Sequence, residues 1–268
     1  MWRWSRETAQ LQIARDHVAL CPRDVRSTAA QLRKHPVTGL ATVEDAITSC
    51  LAEGHGSNLD VDIVVSDAYA RFWIVVPPNN ATTRGDLRLC ALWRFEELFG
   101  ESPAAWNLQA DWHATRRFMA CAVPLALTDA IRSALSSRRI RIQCCVSRFV
   151  AEWNRHHRRV RKHDTWFGVS NDSIVTMALV QDQRIAHVRK VRQPSGEEMQ
   201  LDTLASALRC VALQHEARLP ESVLLCGDMP ATRQATGIEG FHFEWVDGDA
   251  RPSGNPESPA ATLEGPSP

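Results

Sequence analysis

Hydrophobic and polar positions alternate near the start of the chain in a way that predicts a β-hairpin. The segment TAQLQIARDHVALCP has apolar residues at alternating positions on both sides of ARDH, which is typical of two antiparallel strands around a tight turn. Helical spacing follows in TVEDAITSCLAEG and TRGDLRLCALWRFEELFG, with one or two strands in VDIVVSDAYARFWIVVPP between them. The pattern then predicts a hairpin in AWNLQADWHATRRFMACAVP, a helix in LALTDAIRSALSSRR, a buried strand in IRIQCCVSRF and a basic helix in VAEWNRHHRRVRKH.

Strand patterning starts again at Trp166. The segment TWFGVSNDSIVTMALVQDQRIAHVRKVRQ predicts a three-stranded meander, and a helix, the strand SVLLCGD, a short helix and the strand FHFEWV follow it. This order predicts an α/β fold class with two lobes that have mixed sheets. We expect the first lobe at 1–150, a basic helix between the lobes at 151–165, and the second lobe at 166–248. The tail, 249–268, is rich in Pro, Ser and Gly and is expected to be disordered.

Composition restricts the environment of the protein and its partners. The 268 residues carry 31 basic and 31 acidic side chains, so no overall field attracts nucleic acid or anionic lipid. Eight cysteines lie mostly in apolar runs without a C-x-x-C pair, which favours buried thiols in a reducing compartment over disulfides or a zinc site. No apolar run reaches the roughly 18 residues needed to cross a bilayer. We therefore expect a cytoplasmic protein without a membrane span or a nucleic-acid partner.

Three groups of residues invite a chemical interpretation. Ser66, Asp67 and Arg71 in VVSDAYAR lack a nucleophile elbow, so an Asp–Arg ion pair or a strand-end contact is favoured over catalysis. His156 and His157 are adjacent on a predicted helix, where their side chains point about 100° apart and are poor ligands for one ion. A nuclease of the RNase H type needs a carboxylate in its first strand, and AQLQIA has none. The sequence therefore predicts no catalytic residue and no metal.

The run RHHRRVRKH, at 155–163, is the strongest local concentration of positive charge. It offers a candidate contact for a partner or an anion, and the alternative is a solvated helix that links the lobes. The candidate residues are Arg155, Arg158, Arg159, Arg161 and Lys162. Trp2 and Trp4 lie outside any periodic segment and offer a second candidate contact for a partner.

The order of elements resembles the actin-like ATPase superfamily, whose two RNase H-like lobes flank a nucleotide cleft. The hairpin LQIARDHVAL, the pair VVSDAYARFWIVVPP and ALWRFEELFG, and the late VLLCGD carry this resemblance over residues 8–247. Within the superfamily, the chain is similar to PilM-type pilus assembly proteins and to the cytoplasmic domain of GspL-type secretion proteins.

The resemblance also implies where a nucleotide would bind. Active members have a D-x-G-like turn in the first hairpin of each lobe and a Gly-Gly turn after the late strand. Here the first hairpin has Asp16 and no glycine, the second has Gly168 and Asp172 in the reverse order, and the late turn has Gly227 followed by Asp228. The resemblance therefore implies a vestigial nucleotide cleft that needs no cofactor and binds ATP and magnesium weakly at most.

The function implied by the resemblance is a non-catalytic cytoplasmic adaptor or scaffold of a type IV pilus or type II secretion-like machine. Such a protein binds the tail of an inner-membrane pilus or secretion protein, an assembly ATPase, or both, and is held at the inner membrane through its partner. The alternative is a divergent actin-like ATPase or kinase that binds and turns over ATP. Nucleotide titration separates the two hypotheses.

Overall fold

A computed structural model describes most of the predicted elements. It covers residues 7–22, 33–52, 59–136, 140–193, 201–215, 220–227, 236–238 and 240–246. The predicted short helix after the late strand, the tail at 249–268, Asp228, Trp2 and Trp4 lie outside the described residues.

The described residues form fourteen strands and five α-helices. Those of the first half are β1 (Glu7–Ile13), β2 (His17–Pro22), β3 (His35–Pro36), α1 (Val43–Ala52), β4 (Leu59–Val65), β5 (Arg71–Val75), α2 (Arg84–Phe99), β6 (Trp106–Ala110), β7 (Phe118–Pro124) and α3 (Leu125–Ser136). Those of the second half are β8 (Arg141–Ser147), α4 (Arg148–Val160), β9 (Thr165–Asn171), β10 (Ile174–Gln181), β11 (Arg184–Arg192), α5 (Leu201–His215), β12 (Ser222–Gly227), β13 (Thr236–Ile238) and β14 (Phe241–Trp245).

The first sheet has the strand order β3-β2-β1-β4-β8. Strands β1 and β2 form the predicted antiparallel hairpin, while β4 is parallel to both β1 and β8. Apolar side chains on one face, such as Leu11 and Ile63, pack with Ile47 of α1 and Ile131 of α3. The prediction of a buried strand in IRIQCCVSRF is wrong, because β8 is an edge strand and only Ser147 in it is buried.

The second sheet repeats this order. Its strands run β11-β10-β9-β12-β14-β13, so an antiparallel meander again continues into parallel strands, and β13 is an unpredicted addition at the edge. Leu204 and Leu208 of α5 pack on one face of this sheet. Phe149 and Trp153 pack on the other face of the second sheet. They belong to α4, the helix that follows the last strand of the first sheet and precedes the first strand of the second. Two sheets of equivalent topology confirm the predicted fold class.

A third, three-stranded sheet is inserted between β4 and α3. Its order is β5-β7-β6 and all pairs are antiparallel. Helix α2 covers it through an aromatic core in which Phe95 contacts Trp73, Phe99 and Trp106. The segment VDIVVSDAYARFWIVVPP thus supplies two strands that belong to different sheets. No helix in the described parts of the chain is long and apolar enough to cross a membrane.

Thr83 caps the N-terminus of α2. Its hydroxyl accepts from the backbone N–H of Asp86 at 3.1 Å, and the Asp86 carboxylate accepts in return from the Thr83 N–H at 3.0 Å. Because alanine has no acceptor for this end of the helix, Thr83→Ala should lower the free energy of unfolding by about 1 kcal/mol. Urea unfolding measures this loss of stability. Thr82→Ala is the control, because its backbone N–H contact to Asp86 survives the change. An equal loss in both variants would contradict the capping role.

Candidate functional site

The turns of the two long hairpins meet in a contact that we call the turn junction, formed by Arg15, Ser66 and Asp172. Arg15 lies in the β1–β2 turn, Ser66 follows β4, and Asp172 lies in the β9–β10 turn. The Asp172 Oδ2 atom accepts from the Ser66 hydroxyl at 2.6 Å and from the Arg15 backbone N–H at 3.4 Å. Asp172 has a φ of 56°, a left-handed conformation that aspartate tolerates better than most residues.

The loop after β4 holds the turn junction in place. The Ser66 backbone N–H donates to the Ile13 carbonyl at 2.8 Å, and the Ser66 hydroxyl also accepts from the Ala68 N–H at 3.2 Å. The Tyr69 hydroxyl donates to the Arg15 carbonyl at 3.3 Å. Burial raises the pKa of Tyr69, and the charge of Asp172 raises it further. The Ser66 hydroxyl therefore connects the β4–β5 loop to the β9–β10 turn.

Asp16 is next to the turn junction in sequence, but its side chain has a different partner. Its carboxylate lies 2.6 Å from the Nδ1 atom of His17 and is 79% exposed. This hydrogen bond lowers the pKa of Asp16. The contact is therefore local to the first hairpin.

Gly168 and Gly227 allow close packing within the second sheet. A Cβ atom on Gly168 would lie 2.5 Å from side-chain atoms of both Leu225 and Met177. A Cβ atom on Gly227, which has a φ of 100°, would lie 2.1 Å from the carbonyl oxygen of Ser170 in the neighbouring strand. The space beside each glycine is thus occupied by protein atoms.

Asp67 is fully buried and connects the first sheet to the second. One carboxylate oxygen accepts from the Phe149 backbone N–H at the start of α4, at 3.0 Å. The other accepts from the Thr176 hydroxyl on β10, at 2.9 Å. The Lys190 ammonium of β11 donates to the carbonyls of Asp67 and Ala70, at 2.8 and 2.6 Å. These contacts join the β4–β5 loop to a helix and to two strands of the second sheet.

Burial governs the ionisation of this network. It raises the pKa of Asp67 to about 6, although the hydrogen bonds from the Phe149 N–H and the Thr176 hydroxyl act to lower this pKa. It lowers the pKa of Lys190 to about 8, and the positive charge of Arg71 acts in the same direction. The predicted Asp67–Arg71 ion pair is wrong, because Arg71 pairs with Glu101 at 3.0 Å. The other prediction, a contact at the end of a strand, describes Asp67 correctly.

Three of the five basic candidates on and after α4 contact other residues of the chain. Arg155 pairs with Glu152 at 3.1 Å, Arg159 pairs with Glu244, and the Arg161 guanidinium lies 5.5 Å from the ring centre of Trp153. The remaining two, Arg158 and Lys162, are exposed and form no ion pair with a described residue. The free positive charge of this helix is therefore smaller than its sequence indicates.

The adjacent histidines of α4 have separate neighbours. His156 Nε2 lies 3.6 Å from a Glu152 oxygen, and His157 Nδ1 lies 2.9 Å from the Asn154 carbonyl. Across the described ranges, no three His, Cys, Asp or Glu residues are arranged to hold a metal ion.

Comparison with solved structures identifies the fold. A protein of unknown function with an actin-like ATPase fold from Bacteroides thetaiotaomicron aligns with a TM-score of 0.53 at 10% identity, over 85% of this chain and 84% of that one. The PilM–PilN type IV pilus biogenesis complex gives 0.58 at 15% identity, over 90% and 88%. The cytoplasmic domain of EpsL, an inner-membrane component of the type II secretion system of Vibrio cholerae, gives 0.52 at 10% identity, over 90% and 89%.

No protein-family model matches the sequence, and no curated protein matches it significantly. The structural alignments extend over most of each chain, and they confirm the resemblance in fold to actin-like proteins, among them the PilM–PilN complex and the cytoplasmic domain of EpsL. The chain therefore has the actin-like fold.

Proposed function

We propose that this protein is a scaffold that binds other proteins and does not hydrolyse ATP. The observation that carries the proposal is the turn junction. In the actin-like fold, phosphate groups bind between the two hairpin turns, and here Asp172 of one turn accepts hydrogen bonds from Ser66 and from Arg15 of the other.

Distance and charge both oppose a phosphate at this position. A phosphate oxygen needs about 2.8 Å to its hydrogen-bond donor, and the Ser66 hydroxyl already donates to the Asp172 carboxylate at 2.6 Å, which leaves no space between them. The Asp172 carboxylate would also repel a phosphate across a few ångströms. Gly168 and Gly227, which the resemblance assigned to the cleft, have protein atoms beside them where a ligand would need space.

A place in a type IV pilus or type II secretion-like machine is supported by the architecture of two of the structural neighbours. One is a pilus biogenesis complex and the other belongs to a secretion system, and each covers 90% of this chain. This support is an analogy of fold. In this function the protein works in the cytoplasm and binds an inner-membrane protein tail or an assembly ATPase. The genes that flank its coding sequence test the assignment: pilus or secretion genes support it, and an unrelated metabolic operon contradicts it.

Nucleotide titration tests the absence of ATP turnover. Calorimetry with ATP and magnesium should give a dissociation constant no tighter than about 100 μM, equivalent to about −5.5 kcal/mol, and no steady release of phosphate. Ser66→Ala serves as a control, since it removes one hydrogen bond of the turn junction but leaves the carboxylate of Asp172 in place. Micromolar binding with steady phosphate release in the wild type would restore the ATPase or kinase hypothesis.

A further inference from the structure

A groove separates the third sheet from one edge of the second. One wall is the loop before β7, with Arg116 and Arg117, and the other is formed by Asp182 of the β10–β11 turn and by Arg184, the first residue of β11. The groove has a volume of about 460 Å³, and Ala186 of β11 forms part of its lining. Its lining shares no residue with the turn junction.

The groove is positively charged although the whole chain is neutral. Arg116, Arg117 and Arg184 form no ion pair with any residue in the described ranges. The lining carries three positive charges and, from Asp182, one negative charge, which leaves a local excess of two. Guanidinium groups donate two parallel hydrogen bonds to a carboxylate. The groove therefore favours a ligand with more than one anionic group.

The backbone at the same place favours an extended peptide over a free anion. Among the described strands, β11 is the outermost of the second sheet and pairs with β10 alone, so the backbone groups on its outer side have no ladder partner in the described part of the chain. Strand β5 packs close to β11 over part of its length, but the end from Arg184 to Ala186, where β11 has a bulge opposite Leu179 and Val180, borders the groove. Unpaired edges of this kind accept an added strand.

We propose that this groove binds an extended acidic segment of a partner protein. The main chain of the segment lies along the outer edge of β11, and its carboxylates pair with Arg116, Arg117 and Arg184. The proposal rests on the scaffold function proposed above and specifies the chemistry of one partner segment.

Fluorescence anisotropy with the full chain tests the groove. The probe is a labelled eight-residue peptide that alternates glutamate with valine or threonine, and the matched peptide has glutamine in place of each glutamate. We expect the triple variant Arg116→Gln, Arg117→Gln, Arg184→Gln to bind the acidic peptide at least 10-fold more weakly than the wild type. The glutamine peptide should show a similar loss. The double variant Arg158→Gln, Lys162→Gln removes exposed charges from the α4 region and should stay within twofold of the wild type.

Three results would overturn the proposal: equal weakening by the α4 double variant, equal binding of the glutamine peptide, or displacement of the peptide by an equal concentration of inorganic phosphate. The first two would remove the specific role of the three arginines, and the third would indicate a simple anion site. Thermal unfolding of each variant shows whether it is folded.

An ATP titration of the same samples separates the two proposals. Lack of peptide binding without ATP turnover overturns only the groove, whereas ATP turnover overturns the scaffold function.

Discussion

Replacement of Asp67 by alanine is expected to lower the free energy of unfolding by about 3 kcal/mol, because two buried donors lose their acceptor. These donors are the Phe149 backbone N–H and the Thr176 hydroxyl, at 3.0 and 2.9 Å. Thr176 lies on β10 of the second sheet and Phe149 lies at the start of α4, the helix that leads to it, so the loss would weaken the connection between the two larger sheets. Urea unfolding followed by tryptophan fluorescence measures the change.

Asp67→Asn is the matched control for the alanine variant. The asparagine carbonyl can accept from Phe149, and its amide can donate to the Thr176 hydroxyl. Its free energy of unfolding should lie within about 1 kcal/mol of the wild type at about pH 4, where the folded wild type has a protonated, uncharged Asp67 carboxyl that asparagine resembles. Equal destabilisation by alanine and asparagine would contradict a role based on hydrogen bonding.

The same pair of proteins gives a pH dependence with a defined sign. The folded-state pKa of Asp67 is about 6 and its usual value is 3.8, so between these values the folded state binds more protons than the unfolded state. The contribution of Asp67 to stability therefore decreases as the pH rises from about 4 to about 6. Over this window the wild type should lose about 2 kcal/mol relative to Asp67→Asn. A difference that stays constant with pH would show that the carboxyl is not desolvated.

Replacement of Gly227 by alanine is the second change with a large expected effect. The new Cβ atom would lie 2.1 Å from the Ser170 carbonyl oxygen, a backbone atom that cannot move without shifting β9. The φ of 100° adds strain for any residue with a side chain. We expect the free energy of unfolding to fall by at least about 3 kcal/mol, as measured by urea unfolding.

Gly240 provides the control, because it has a φ of 86° but no atom within 4 Å of its Cβ position. Gly240→Ala should cost only the backbone strain, about 1 to 2 kcal/mol. If Gly227→Ala were no more destabilising than this control, the close approach of β12 to β9 would not constrain residue 227. ATP binding should be equally weak in both variants, because the proposed role of Gly227 is structural.

The sequence alone determined the order and type of most elements. Alternation in LQIARDHVAL and helical spacing in α2 arise from contacts between residues a few positions apart, so the β1–β2 hairpin and the helix that ends before Gly100 could be predicted directly. The restart of strand patterning at Trp166 likewise predicted the meander that begins the second sheet. The lobe boundaries, the vestigial nucleotide cleft and the basic partner contact remain predictions.

Only the tertiary structure decided which of these elements and side chains meet. Periodicity does not specify partners distant in the chain, so it could not assign β4 and β5 to different sheets or identify β8 as an edge strand. Asp67 looked like the partner of an arginine four residues away, but its carboxylate bonds Phe149 and Thr176, which lie 82 and 109 residues further along. Asp172 reaches Ser66 across 106 residues. The contacts that define the candidate site are therefore long-range, and they exist because folding brings the loops and turns of two separate sheets together.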